Sequence, residues 1–294
     1  MRGREGVASI RVGHDAGIVT AVTATDSTKT DDPPDPGPTV LHDCADAEAY
    51  VASVCFKHGP PRLVGVELEW LLHQPHAPHA PPDAAVLAAA LGKHAPTTMD
   101  PDSPALPLPA GSEVTVEPGG QIEIASRPFP DLAALTTAAT ADAGVLHGLV
   151  ATAGLTPLNR ASEPVRPPVR ILDVPRYRAM EQAFDRLGPF GRSGMCATAA
   201  VQVSLDAGEP DAVAARWATV HAVGPVLLAA FANSPVLHGR RTGWKSSRWA
   251  SWLRADPART APPAAADAAA ADPAGAWARR VLDSPVLCVR PDGD

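Results

Sequence analysis

The sequence is poor in cysteine and in long apolar runs, and each shortage excludes a class of protein. Only four cysteines occur among 294 residues; none forms a CxxC pair, which is unlike a disulfide scaffold and suits a reducing compartment. No uninterrupted apolar run approaches the roughly 18 residues of a membrane span, and the N-terminus lacks an apolar signal segment. We therefore expect a soluble, cytoplasmic protein that does not act at a membrane.

Aromatic and basic residues are also scarce. Phenylalanine, tyrosine and tryptophan make up 4% of the chain, and 25 lysines and arginines face 32 acidic residues, for a net charge of −7. That sign disfavours general nucleic-acid binding, which needs a basic surface. Hydrophobic residues nonetheless reach 45%, so the chain is expected to bury a substantial core.

The sequence does contain helical and strand patterns in mixed order. Residues 1–40 lack periodicity and end in DDPPDPGP, which predicts a disordered lead-in before a folded catalytic core over 41–294. Helical patterns cover 46–57, 83–94, the stretch from an Asp131 cap to Val150, 176–184, and a segment from Pro210 with a kink at Pro225. Strand patterns cover 63–72, 112–126 and 195–206, and the segment 277–290 reads as a helix, a turn and a strand. Because no βαβ rhythm is present, an α+β fold around an antiparallel sheet is predicted.

Three of the strand patterns place polar side chains on a common face. Alternation puts Glu67 and Glu69 on one face with their Cα atoms about 6.5 Å apart, Glu123 on one face of the next strand, and Gln202 and Ser204 on one face of the third. If these strands pair, the carboxylates repel one another, and a hard cation such as Mg²⁺ would relieve the repulsion. Two interpretations stay open: a magnesium–nucleotide surface, or ordinary amphipathic strands with one solvated face.

A basic segment lies further along the chain. Residues 238–259 contain six lysines and arginines against one acid, Asp256. Phosphoryl transfer needs cationic groups that hold phosphates and offset developing charge, although a solvated loop in which arginines cluster is the alternative. A run of three histidines, His73, His76 and His79, could suggest a soft metal site, but a loop insertion is the favoured interpretation because metal-binding histidines need supporting partners.

Six segments of the chain form an ordered set of motifs: VGVELEW (64–70), VTVEPGGQIEIAS (114–126), RYRAMEQAF (176–184), ATAAVQVSLDAG (197–208), FANSPVLHGRRTGWKSSRWASW (231–252) and WARRVLDSPVLCV (277–289). In the same order they resemble motifs of the plant- and bacterial-type glutamate–cysteine ligases, and the subgroup that feeds ergothioneine biosynthesis is the most similar. The second is similar to the family's VEPGGQxELS segment, and the fourth to TASVQVNLDAG, with Ser204 at the family's asparagine.

The resemblance implies a glutamine-synthetase-like α+β fold, in which helices flank a curved antiparallel sheet. It also implies an ATP- and Mg²⁺-dependent reaction. ATP phosphorylates the γ-carboxylate of L-glutamate, and the amine of L-cysteine attacks the acyl phosphate to give γ-glutamylcysteine for ergothioneine or related thiols. Two alternatives stay open: a related carboxylate–amine ligase that joins glutamate to another amine, and an inactive fragment that binds a nucleotide or a partner.

Matching the motifs assigns residues to roles. The metal-binding acids would be Glu67, Glu69, Glu123 and, from the same segment, Glu117; Arg248 and Arg259 would act near the nucleotide phosphates; and Thr198, Gln202, Ser204 and Lys245 would bind substrate or nucleotide. In the family, a strand with a Glu-x-Arg pair follows the last motif. We therefore expect the catalytic core to be incomplete at its C-terminus, a complementing C-terminal polypeptide to be needed, and apolar surface to lie bare on the sheet or its helices.

Overall fold

The computed structural model describes residues 10–12, 39–56 and 58–287. The strands are β1 (Ile10–Val12), β2 (Thr39–Leu41), β3 (Val64–His73), β4 (Glu113–Val116), β5 (Ile122–Ala125), β6 (Thr156–Leu158), β7 (Val201–Leu205), β8 (Val236–Leu237) and β9 (Arg240–Arg241). The helices are α1 (Cys44–Cys55), α2 (Ala84–Leu91), α3 (Leu132–Thr152), α4 (Pro175–Leu187), α5 (Pro189–Cys196), α6 (Val213–Phe231), α7 (Ser247–Ala255), α8 (Pro257–Thr260), α9 (Ala265–Ala268) and α10 (Pro273–Asp283), with a 3₁₀ turn at Gly92–His94. Most of the predicted lead-in, and the strand predicted to end 277–290, lie outside the described residues.

The chain divides into two compact units, the smaller of which contains residues up to 61, 206–221 and 263–284. In this unit α1 packs against α10. The ring of Trp217 lies 5.7 Å from that of Phe56 and 6.2 Å from that of Trp277, measured between centroids, and its indole N–H donates to the carbonyl of Asp267. Aromatic packing of this kind holds together elements that are far apart in sequence.

The larger unit is built on an antiparallel sheet of five strands with β3 at its centre. The strand order is β4-β5-β3-β6, and β7 also pairs with β3. Along one edge of β3 lies β5; along the other lie β7, opposite residues 64–68, and β6, opposite residues 71–73. The expected α+β class and the side-by-side pairing of the three polar strands are confirmed.

The apolar face of the sheet packs against α2 and α3. Leu72, Ile122, Ile124, Leu146 and Val150 are completely buried between these layers. The predicted cap of α3 is confirmed, because the carboxylate of Asp131 accepts the N–H of Ala134 at 2.8 Å. The core therefore fixes β3 and β5, the two strands that carry most of the acidic residues.

The turn between β4 and β5 depends on a glycine. A Cβ built on Gly119 would overlap the carbonyl of Cys196, which is backbone and cannot rotate away. Gly119→Ala should therefore lower the free energy of unfolding by about 1–3 kcal/mol, measurable by urea denaturation. Gly148→Ala is the matched control, because a Cβ there meets nothing within 4 Å and alanine favours the helix. Equal stability of both variants would contradict this packing.

The predicted strand over 195–206 is wrong at its start. Met195 and Cys196 end α5, and the strand begins only at Val201. A proline at the first position opens α5, where its missing N–H costs nothing, and the helix packs against α4 and α7. Burial raises the pKa of the Cys196 thiol to about 12, so this cysteine is not a nucleophile.

Helix α6 is long and apolar enough to cross a membrane, by length and composition. It is not an uninterrupted apolar run, because Arg216 and His221 interrupt it. A single helix of this kind is weak support for membrane insertion. Val226, Leu227 and Phe231 on this helix are exposed, in line with the expectation of bare apolar surface.

Candidate functional site

Acidic side chains meet across the centre of the larger unit's sheet. Glu69 on β3 lies directly opposite Glu123 on β5, and Glu67 lies opposite Gln202 on β7. Glu117 follows β4 at the start of the tight turn that leads into β5. Like charges directly opposite each other destabilise a sheet, so this arrangement is costly unless a cation offsets it.

Burial makes the cost larger. Only 4% of Glu67 and 7% of Glu123 are exposed, and one carboxylate oxygen of Glu67, Oε1, has no hydrogen-bond partner among the described residues. Burial, then the charge of Glu123, raises the pKa of Glu67 to about 7 and that of Glu69 to about 8. The same two causes raise the pKa of Glu117 to about 7, and burial raises the pKa of Glu123.

Glu69 is held in place by the segment that leads into β7. Its Oε2 accepts the backbone N–H of Ala200 at 2.9 Å, and its Oε1 accepts the side-chain amide of Gln202 at 3.0 Å. Thr198 lies just before, with its hydroxyl donating to the carbonyl of Gly194 at 2.8 Å. Its own carbonyl accepts the side-chain amide of Gln121 at 2.9 Å. Thr198 therefore anchors the backbone that precedes Ala200, whereas Gln202 contacts a carboxylate.

Arg248 supplies positive charge at this face. It lies in the first turn of α7, which Ser246 caps by accepting the N–H of Trp249, and its charge favours the ionised form of Glu69. Burial lowers the pKa of Arg248. The Nε of Arg248 is buried and has no hydrogen-bond partner in the described residues, so the guanidinium keeps a donor available for a ligand.

Other polar groups of this region were assigned no role in the site from the sequence. Arg176 opens α4 and favours the ionised form of Glu117, and its guanidinium lies 4.9 Å from the ring centroid of Tyr177. Gln121 Oε1 and Trp252 Nε1 are buried and without partners among the described residues. The RYRAM motif pointed to Arg176, and the four-residue spacing from Arg248 pointed to Trp252, because positions four apart share a helix face.

Several residues that were predicted to belong to the site make no described contact with the four carboxylates. Lys245 is exposed, Ser204 lies opposite Gly65 nearer the end of β3, and Arg259 forms an ion pair with Asp256 at 2.7 Å. His73 is buried, with Nε2 2.9 Å from both carboxylate oxygens of Glu163. A shared histidine metal site is therefore unsupported, since His76 and His79 are exposed in the following loop.

The four carboxylates offer oxygen ligands to hard cations, but together they do not enclose one ion. Among residues 10–12, 39–56 and 58–287, no three His, Cys, Asp or Glu side chains are gathered closely enough to enclose a metal ion. The oxygens are nonetheless of the type that Mg²⁺ prefers, and Mg²⁺ commonly takes only one or two carboxylates plus waters and phosphates. The unpartnered oxygen of Glu67 is one such free ligand.

Comparison with known proteins identifies the family. The family model described as glutamate-cysteine ligase family 2 (GCS2) matches residues 63–294. The chain belongs to this family. It is 37% identical over 255 residues to the glutamate–cysteine ligase EgtA of Mycobacterium tuberculosis, and 38% identical over 249 residues to that of Mycolicibacterium smegmatis. It is 28% identical over 149 residues to the chloroplastic glutamate–cysteine ligase of Arabidopsis thaliana, a match that covers 50% of this chain and 28% of the plant protein.

The family members differ from this chain in length. The matches to the two EgtA proteins cover 86% and 84% of this chain, but 56% of each relative. The family match includes all ten residues that were assigned roles from the sequence, from Glu67 to Arg259. The acidic face and Arg248 therefore lie in the part that is shared with the ligases.

Proposed function

We propose that this chain contributes the catalytic face of an ATP-dependent glutamate–cysteine ligase that forms γ-glutamylcysteine through γ-glutamyl phosphate. The observation that carries the proposal is the opposition of Glu69 and Glu123 in a buried sheet, with the charge of Glu123 close enough to raise the pKa of both Glu67 and Glu117. Such an arrangement is costly for a purely structural surface. A nucleotide with its cation would offset that cost.

Magnesium ions would be held by Glu67, Glu69, Glu117 and Glu123. When bound, Mg²⁺ neutralises and orients the phosphates of ATP. Gln202 would keep the Glu69 carboxylate in one orientation through its amide, since it donates to Oε1. The buried Nε of Arg248 would donate to a phosphate oxygen, a charge-assisted hydrogen bond of the stronger kind.

The remaining assigned residues are proposed to have lesser roles. Thr198 would shape the substrate wall through its backbone, and Ser204, Lys245 and Arg259 would contact substrate or nucleotide only after a local change, since Lys245 is exposed and Arg259 pairs with Asp256. The substrates would be L-glutamate, L-cysteine and ATP. The product would enter the synthesis of ergothioneine or another small thiol in the cytoplasm.

The test is ATP-dependent formation of γ-glutamylcysteine, followed by mass spectrometry. The chain is incubated with Mg²⁺, ATP, glutamate and one amine from a panel, and ADP release is measured in parallel. Stimulation by cysteine above all other amines supports the proposal. Stronger stimulation by another amine indicates the related carboxylate–amine ligase, and binding of Mg·ATP without turnover under any condition indicates a nucleotide-binding fragment.

Replacing Arg248 should weaken turnover without unfolding the chain. Arg248→Met removes the cation beside Glu69 and the free Nε donor, so kcat should fall by about 10²-fold, as for other groups that stabilise transition-state charge. Arg240→Met on the exposed hairpin strand β9 is the matched control and should retain full activity. A wild-type rate for Arg248→Met would remove this residue from the site.

A complementing polypeptide that carries a Glu-x-Arg strand is also proposed. Its carboxylate would add a metal ligand, and its arginine would clamp a substrate carboxylate in bidentate fashion. The greater length of the EgtA relatives supports this proposal. The same assay with that polypeptide added should increase γ-glutamylcysteine formation at least tenfold, and robust synthesis by the 294-residue chain without any addition would contradict it.

A further inference from the structure

Among the described residues, the only strand that pairs with β7 is β3, so the opposite, outer edge of β7 has no strand beside it there. Gln202 and Ser204 lie opposite Glu67 and Gly65 of β3, and the N–H of Glu69 donates to the carbonyl of Ala200 at 3.0 Å. Antiparallel pairs alternate between hydrogen-bonded and non-hydrogen-bonded. The N–H and C=O groups of Ala200, Gln202 and Ser204 therefore point toward β3, and those of the residues between them point away.

The outward-pointing groups belong to Val201, Val203 and Leu205. In the part of the chain that the structure describes, no strand lies beside this edge. The side chains of the same three residues are 70%, 64% and 60% exposed. Three residues with outward-pointing, unpaired backbone groups and exposed aliphatic side chains form a template for strand pairing, which native proteins normally cover or disrupt with charges or proline.

We infer that the outer edge of β7 is the docking edge for an additional β-strand, which belongs to the part of the EgtA relatives that lies outside the match. Its chemistry follows from the edge. Backbone groups would pair with those of Val201, Val203 and Leu205, aliphatic side chains would continue their row, and polar side chains would fall beside Gln202 and Ser204 on the acidic face. Strand addition gives affinity through the backbone and specificity through alternate side chains.

This occupant is favoured over a second copy of the chain. More than two fifths of each EgtA relative lies outside the match, enough for many further elements of structure. Two copies of β7 would place a second acidic face beside the first, where Glu67 and Glu69 already repel their neighbours. This inference locates the complementing strand of the proposed function, but its readout is binding and can fail or succeed independently of turnover.

Hydrogen exchange tests the inference on the whole chain. Alone, the amides of Val201, Val203 and Leu205 should exchange much faster than those of Gln202 and Ser204. The probe is a polypeptide comprising the longest run of the M. smegmatis relative outside the match. Its addition should slow exchange at the three outward amides at least tenfold and leave the two inward amides unchanged.

A proline substitution distinguishes strand pairing at this edge from non-specific hydrophobic association. Val203→Pro removes an outward-pointing N–H and leaves the hydrogen bonds to β3 in place, a change that an edge strand tolerates. It should reduce binding of the polypeptide at least tenfold with an unchanged melting temperature. Leu106→Ser, at another exposed apolar residue, should bind like the unmodified chain. No protection by the polypeptide, equal binding by Val203→Pro, or protection that grows with the concentration of the chain alone would overturn the inference; the last would indicate a second copy.

Discussion

Glu123→Gln is expected to remove most ligase activity while making the folded chain more stable at pH 8. The charge of Glu123 raises the pKa of Glu67, Glu69 and Glu117, so removing it relieves all three carboxylates at once. The same change removes a negative ligand from the proposed magnesium site, and turnover should fall by about 10²–10³-fold, as when one charge-stabilising group is lost. Steady-state assays and thermal unfolding of one preparation measure both effects.

Because activity should fall while the melting temperature rises, misfolding of Glu123→Gln could not explain its loss of activity. Glu113→Gln is the matched control, because Glu113 is an exposed carboxylate on the neighbouring strand β4; it should change neither activity nor melting temperature. Glu67→Gln and Glu69→Gln should also lose most activity. If all three site variants turn over at the wild-type rate, the acidic face is not the catalytic face.

The free energy of unfolding is expected to fall as the pH rises from about 5 to 8 in the absence of divalent cations. The pKa of Glu67 and Glu117 is raised to about 7 and that of Glu69 to about 8, whereas the unfolded chain titrates near the ordinary value of 4.5. Between these values the folded state binds more protons than the unfolded state, so stability decreases with rising pH. A fall in melting temperature of about 5 °C or more is expected, since 1 kcal/mol corresponds to about 2–4 °C at this size.

Magnesium ions should reverse this loss. A cation that binds the ionised carboxylates of the folded state stabilises it by mass action, so millimolar Mg²⁺ should raise the melting temperature at pH 8 and have little effect at pH 5. In Glu123→Gln the slope against pH should be shallower. A pH-independent melting temperature in the unmodified chain, with or without Mg²⁺, would contradict the burial and mutual repulsion of these groups.

The acidic face could be predicted from alternation, but its register could not. The period of two in 64–70 and 121–124 put Glu67, Glu69 and Glu123 on one side, because side chains alternate along any strand. Nothing in the sequence indicates that Glu69 rather than Glu67 opposes Glu123. That choice depends on how β3 packs on α2 and α3, which is a property of the whole core.

The position of Arg248 was not predictable from residue patterns for a similar reason. It depends on α7 packing against α5, and the short sequence PFGRSGMC of α5 contains two glycines, which disfavour a helix. The ion pair of Arg259 with Asp256 could have been predicted from the sequence. Asp256 lies three residues earlier and caps α8, so the arginine meets it one turn later, and the family motif alone concealed this local partner.

The central position of β3 also favours one order of assembly of the site during folding. Its hydrogen bonds to β7 join residues that are far apart, since Glu69 and Gln202 are separated by 133 positions, whereas β5 follows much sooner. Closing a longer loop costs more entropy, and non-local pairing slows folding. We therefore expect the carboxylates of β3 and β5 to pair before Gln202 and the backbone of Ala200 reach Glu69.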